Sequence, residues 1–88
     1  MSRWTKFQTD CLLAVAELER EASRGPTGQE VKARLETAYG YEVGQGRLYT
    51  NLDRLADERY LRKLPLTGRS NSHELTEAGE RFLRRRRR

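Results

Sequence analysis

The sequence predicts a mainly α-helical domain with one small β-hairpin, an α+β fold in which three helices precede the hairpin and a short helix closes it. Three observations lead there. Apolar residues recur at helical spacing in three successive segments, the first two opening on capping-box signals. After Arg59 the pattern changes to short runs on either side of a polar turn. With 88 residues, 35% of them apolar and 35% charged, the chain has material for a single modest core. No apolar run approaches the roughly 20 residues of a membrane span, and no basic segment followed by an apolar stretch marks a signal peptide, so the expected setting is cytoplasmic with no membrane partner. The single cysteine, Cys11, cannot form an internal disulfide, and the single histidine, His73, has no ligand-type neighbours at useful spacing. Neither a metal nor a cofactor is expected.

Thr5 and Gln8 form the first capping box, so helix 1 should begin there and run to about Ala22. Phe7, Cys11, Ala14, Val15, Leu18 and Ala22 make its apolar stripe, and Trp4, just ahead of the cap, reads as a hydrophobic staple or a dimer contact. Ser23-Arg24-Gly25-Pro26 breaks the pattern. Thr27 with Glu30 then opens helix 2, whose inner face should be Val31, Leu35, Ala38 and Tyr39, with Gly40 as a left-handed C-terminal cap. Only Tyr41 to Gly44 separate it from helix 3, over about 45–58, a connection suited to two helices packed at a steep angle. Leu48, Leu52 and Leu55 repeat at i, i+4 and i+7, so they face the core and the opposite side faces out.

The outward side of helix 3 then carries Gly46, Thr50, Asp53 and Asp57, flanked by Arg47, Arg54 and Tyr49, with Gln45 and Asn51 at its borders. Tyr60 to Leu64 reads as a strand, Thr67 to Ser72 as a polar turn, and His73 to Leu75 as the returning strand. Thr76 caps a last helix that should turn Ala78, Phe82 and Leu83 inward, with Gly79 a weak point in its first turn.

Charge is unevenly placed. Residues 1–44 hold six basic and seven acidic side chains, whereas residues 45–88 hold twelve basic and six acidic. Five of the basic ones are Arg84 to Arg88, and without them the body is neutral, with thirteen groups of each sign. The expected organisation is therefore a domain over 1–83 and a basic arginine tail over 84–88. That tail is either a solvated end or a phosphate-binding segment.

Three helices, a hairpin and a closing helix follow the order of a winged helix-turn-helix, in which helix 3 enters the DNA major groove and the hairpin, about 60–75, touches the flanking backbone. The segment Gly46-Arg47-Leu48-Tyr49-Thr50-Asn51-Leu52-Asp53-Arg54-Leu55, then Tyr60-Leu61, and later Glu74-Leu75-Thr76-Glu77-Ala78-Gly79, resembles the PadR-like transcriptional regulators, in particular their short archaeal members. The resemblance covers roughly residues 7–83. It implies a dimeric regulator, commonly a repressor, with Tyr49 near DNA. Thr50 stands where the family often has proline, and the long C-terminal dimerisation helix of larger members has no counterpart, so helix 1 and the closing helix would supply the dimer surface.

Read by their chemistry, the outward side chains divide as follows. Arg47 suits guanine O6 and N7, or else a phosphate or solvent. Asn51 suits adenine N6 and N7, or a capping or packing role. Gln45 and Thr50 suit bases, phosphates or plain capping. Tyr49 offers a hydroxyl to a phosphate or packs partly into the core. Arg54 suits a phosphate or an i,i+3 pair with Asp57. On the hairpin, Lys63, Arg69, Ser70 and Asn71 suit DNA backbone or minor groove, or simply keep the hairpin soluble.

No serine, acid, cysteine or histidine is placed for catalysis, so an enzyme is not expected. The expectation is a sequence-specific regulator that binds double-stranded DNA as a homodimer on an inverted repeat. The alternatives are a sequence-independent nucleic-acid coating protein and a winged-helix protein-interaction module.

Overall fold

Both capping boxes form as the spacing requires. In a computed structural model of the chain, which describes residues 4–66 and 71–86, Thr5 and Gln8 cap one another at the start of α1 (Lys6–Glu21), and Thr27 and Glu30 do the same for α2 (Gly28–Tyr39). Each box satisfies two backbone donors that would otherwise lack partners. Gly40 closes α2 at φ 80°, ψ 15°, the left-handed geometry a glycine adopts without strain. The turn that follows is pinned from inside. Val43 is buried and donates its N–H to the Glu36 carboxylate at 2.8 Å, while Lys32 reaches the same carboxylate at 2.9 Å. Both contacts favour the ionised acid and hold the Glu36 carboxyl below its ordinary range.

The remaining elements are α3 (Gln45–Asp57), strands β1 (Leu61–Pro65) and β2 (Asn71–Leu75), and α4 (Glu77–Arg85). The strands pair antiparallel with Leu61 opposite Leu75 and Lys63 opposite His73. Each differs from its expected range, since pairing extends outward to Pro65 and Asn71 and takes Asn71 and Ser72 out of the turn. Entry to β1 needs a sharp change of direction, and Arg59 makes it at φ 70°. The Thr76 hydroxyl fixes that corner by donating to the Arg59 carbonyl at 2.7 Å, and the same oxygen accepts from Gly79 N–H to cap α4.

Four details of the core depart from the helical periodicity. Leu12 is fully buried although it lies off the expected stripe, because α1 packs against α2, α3, α4 and β2 and so buries more than one side. Ala22 is exposed because the chain is already extended at that cap. Ala38 is exposed too, and Val43 fills the core at that end of α2. Gly79 is not a weak point: a Cβ there would overlap the Tyr60 carbonyl oxygen, so its missing side chain is what lets α4 dock on the start of the hairpin. That docking is extended by aromatic contacts, Trp4 against Tyr60 at 5.2 Å between ring centroids and Tyr60 stacked on Phe82 at 5.6 Å.

A third extended segment was not foreseen. Thr27 bridges antiparallel to Ser72, and His73 N–H donates to the Pro26 carbonyl at 2.8 Å, so the link between α1 and α2 lines the outer edge of β2. This traps His73, which is 1% exposed with Nδ1 3.4 Å from the same carbonyl. Burial pushes the imidazole pKa below its ordinary 6.5, opposed by the Pro26 carbonyl and Asp53 and reinforced by the nearby Lys63 charge. Below pH 6.5 the unfolded chain therefore binds a proton that the folded one resists, and stability is lost as pH falls from there toward the folded pKa. Glu30 and Glu36, both held low, give up stability only below their ordinary 4.5, and Glu19, raised by burial, acts with the opposite sign. Melting temperature should thus decline between pH 7 and 5.5. His73→Gln should flatten that decline, and an unchanged slope in the variant would refute the assignment.

Candidate nucleic-acid interface

The inner side of α3 is built from Leu48, Leu52 and Leu55, each fully buried. Their burial fixes the helix rotation and leaves Gln45, Gly46, Arg47, Thr50, Asp53, Arg54 and Asp57 exposed on the other side. The helix opens at Gly44, which has no side chain to cap it, so its first backbone donors face outward.

Tyr49 does two things at once. Its ring fills the space beside Gly28 at the start of α2, where a Cβ would collide with it, and its hydroxyl accepts from Gln29 Nε2 at 3.2 Å. The same Gln29 amide donates to Gln45 Oε1 at 3.3 Å. Both oxygens only accept in these contacts, so the Tyr49 hydroxyl hydrogen and the Gln45 NH₂ group are not consumed by Gln29. Gln29 was missed in the sequence because nothing local marks it. The only signal was the steep helix-turn-helix packing, which sets the first turn of α2 beside the first turn of α3.

Asn51 is committed inside the fold. Its Oδ1 accepts from Gln8 Nε2 at 2.8 Å and its Nδ2 donates to the Arg47 carbonyl at 2.8 Å. With both ends of the amide engaged, Asn51 ties α3 to the first turn of α1 and does not offer the pair of groups that adenine would need. Arg47 lies on the same side, its guanidinium over the Phe7 ring.

The second half of α3 meets the hairpin. Lys63 Nζ lies 2.9 Å from Asp53 Oδ1, so a wing cation and a helix anion neutralise one another across the two elements. No ion pair joins Arg54 to Asp57, and Arg54 stays exposed. Asn71 is exposed opposite Pro65, at the end of the paired strands. Arg69 and Ser70 lie outside the described residues. Of the arginine run, Arg84 and Arg85 belong to α4, with Arg84 3.9 Å from Glu80, and Arg87 and Arg88 lie outside the described residues.

Cys11 is fully buried, and burial pushes its thiol up to about 12, so it stays protonated. Among the described residues no cluster of His, Cys, Asp and Glu has metal-site geometry.

Comparison with known proteins points the same way as the geometry. Residues 18–85 match the sequence model of the transcriptional regulator PadR-like family. A search of curated proteins returns no match. Among solved structures, RosR in a complex designated RosR-S1 is 34% identical with a TM-score of 0.85, over 94% of this chain and 69% of that one. RosR of H. salinarum from crystals grown in NaBr is 33% identical with a TM-score of 0.85, over 96% and 71%. A Thermoplasma acidophilum protein described as a transcriptional regulator shares the fold at a TM-score of 0.72 and 20% identity, over 99% and 84%.

Proposed function

Because the chain belongs to the PadR-like family of transcriptional regulators, which are DNA-binding proteins and not enzymes, we propose that it is a sequence-specific repressor whose α3 enters the major groove. The observation that carries this reading is the group of outward donors at the N-terminal end of α3: the Arg47 guanidinium, the Gln45 amide, the Tyr49 hydroxyl and Thr50. Guanine presents two acceptors, O6 and N7, in that groove, and a donor-rich helix end matches it. Arg47 is assigned to guanine, Gln45 and Thr50 to neighbouring base edges, and Tyr49 to a phosphate. Arg54, Lys63, Arg69, Ser70 and Asn71 are assigned to the backbone beside the groove, Lys63 exchanging Asp53 for a phosphate on binding. The setting is the cytoplasm. No described helix is long and apolar enough to cross a membrane.

One such domain buries too little surface to hold a site tightly, and two-fold pairing doubles it. The longest dimension of the fold is 37 Å, which suits a homodimer whose two α3 helices lie about 34 Å apart, one turn of DNA. Selection from random duplex DNA should return an inverted repeat with half-sites one turn apart, each containing guanine. Light scattering should give the mass of two chains on that DNA. A selection that returns no motif would favour sequence-independent coating or a protein partner, and a monomer both free and on DNA would overturn the dimer.

A further inference from the structure

An arginine on an open helix face samples many rotamers, and any base contact it makes must overcome that freedom. Arg47 is restrained. Its guanidinium carbon sits 3.8 Å from the centroid of the Phe7 ring, in contact with the ring face and within the range where the ring quadrupole attracts a cation. Phe7 is itself buried, 6% exposed in the first turn of α1 and part of the core. Beside it, Gln8 holds Asn51 and Asn51 holds the Arg47 carbonyl, each at 2.8 Å. One turn of α1 therefore grips both the side chain and the backbone of Arg47.

We propose that Phe7 is a positioning residue for base recognition: its buried ring is a platform that aims the Arg47 guanidinium, so that the first turn of α1 shapes sequence discrimination without touching DNA. The inference rests on the reading of Arg47 as a base contact and adds what orients it. A guanidinium carbon 3.8 Å from the ring centroid is at stacking distance, and a guanidinium stacked on the ring would keep its in-plane N–H edge for the groove, the edge that pairs with guanine O6 and N7 together. An ammonium in the same place has no such edge.

Phe7→Leu keeps an apolar side chain in the core and removes the ring face. At the base pair relaxed by Arg47→Ala, it should lose about two- to fivefold of the discrimination, with affinity for a scrambled duplex unchanged. In the Arg47→Ala background it should add nothing at that base pair. Equal weakening on cognate and scrambled DNA, or a full additional effect in that background, would overturn the platform. A second measurement needs no variant: ring currents from Phe7 should move the Arg47 side-chain protons upfield in the NMR spectrum of the free protein, and unshifted protons would equally overturn it. If Arg47→Ala itself leaves base preference intact, the readout by α3 fails and the recognition role of Phe7 with it. If Arg47→Ala relaxes the preference and a folded Phe7→Leu does not, the platform alone fails.

Discussion

Leu52→Ala is expected to cost about 2 to 5 kcal/mol of folding stability, a large share of the roughly 5 to 15 kcal/mol that holds a small domain together. Leu52 is fully buried, and its neighbours one turn to either side, Leu48 and Leu55, are buried as completely. Removing three carbons leaves a cavity where α3 meets α1 and α2, and helices tied by caps and turns cannot close over it without giving up other contacts. Thr50→Ala, on the exposed side, should stay within about 0.5 kcal/mol. Urea melts of the two variants test the rotation of α3 directly, and the opposite ranking would mean that the wrong side has been assigned to DNA.

Replacing Arg84 to Arg88 together by glutamine should lower affinity for every duplex and flatten the salt dependence by up to about 0.9 log units per lost phosphate contact. Glutamine is preferable to truncation because α4 runs through Arg85. Sequence preference should survive. Arg47→Ala should do the reverse, relaxing one base pair by about 1 to 3 kcal/mol with little change in non-specific binding. Fluorescence anisotropy on cognate and scrambled duplexes across a salt series separates the two. Loss of preference in the glutamine variant, together with an intact preference in Arg47→Ala, would assign recognition to the arginines and not to α3.

What was legible in the sequence is what is decided within one or two helical turns. The capping boxes at Thr5 and Thr27, the Gly40 cap and the leucine repeat of α3 each rest on residues at most a few positions apart, and all of them form. Features set by approach from afar were not legible. Leu12 reads as off the stripe until four other elements close around α1. Gly79 reads as a flaw until the Tyr60 carbonyl arrives beside it. Asn51 is separated by 43 positions from Gln8, and His73 by 47 from Pro26, and no periodicity encodes either partnership. The same limit applied to the interface: periodicity found the outward and border residues of α3, but could not show that Gln29, Phe7 and Gln8 contact four of them, Gln45, Tyr49, Arg47 and Asn51.

The seam between Pro26, Thr27 and β2 gives the hairpin a fixed foot. Each strand is five residues long, a stem of roughly 17 Å, and it is clamped on one side by β2 meeting the α1–α2 link and on the other by Lys63 meeting Asp53. On the proposed reading such a stem acts as a ruler: it would set how far from α3 the fold reaches along DNA, while α3 would set what is read there. Because strand residues alternate faces, adding two residues to each strand would lengthen the ruler by roughly 7 Å and keep every side chain on its original side. Span and sequence preference should therefore be adjustable separately if α3 reads DNA as proposed, one by the length of the hairpin and the other by a few side chains at the start of α3.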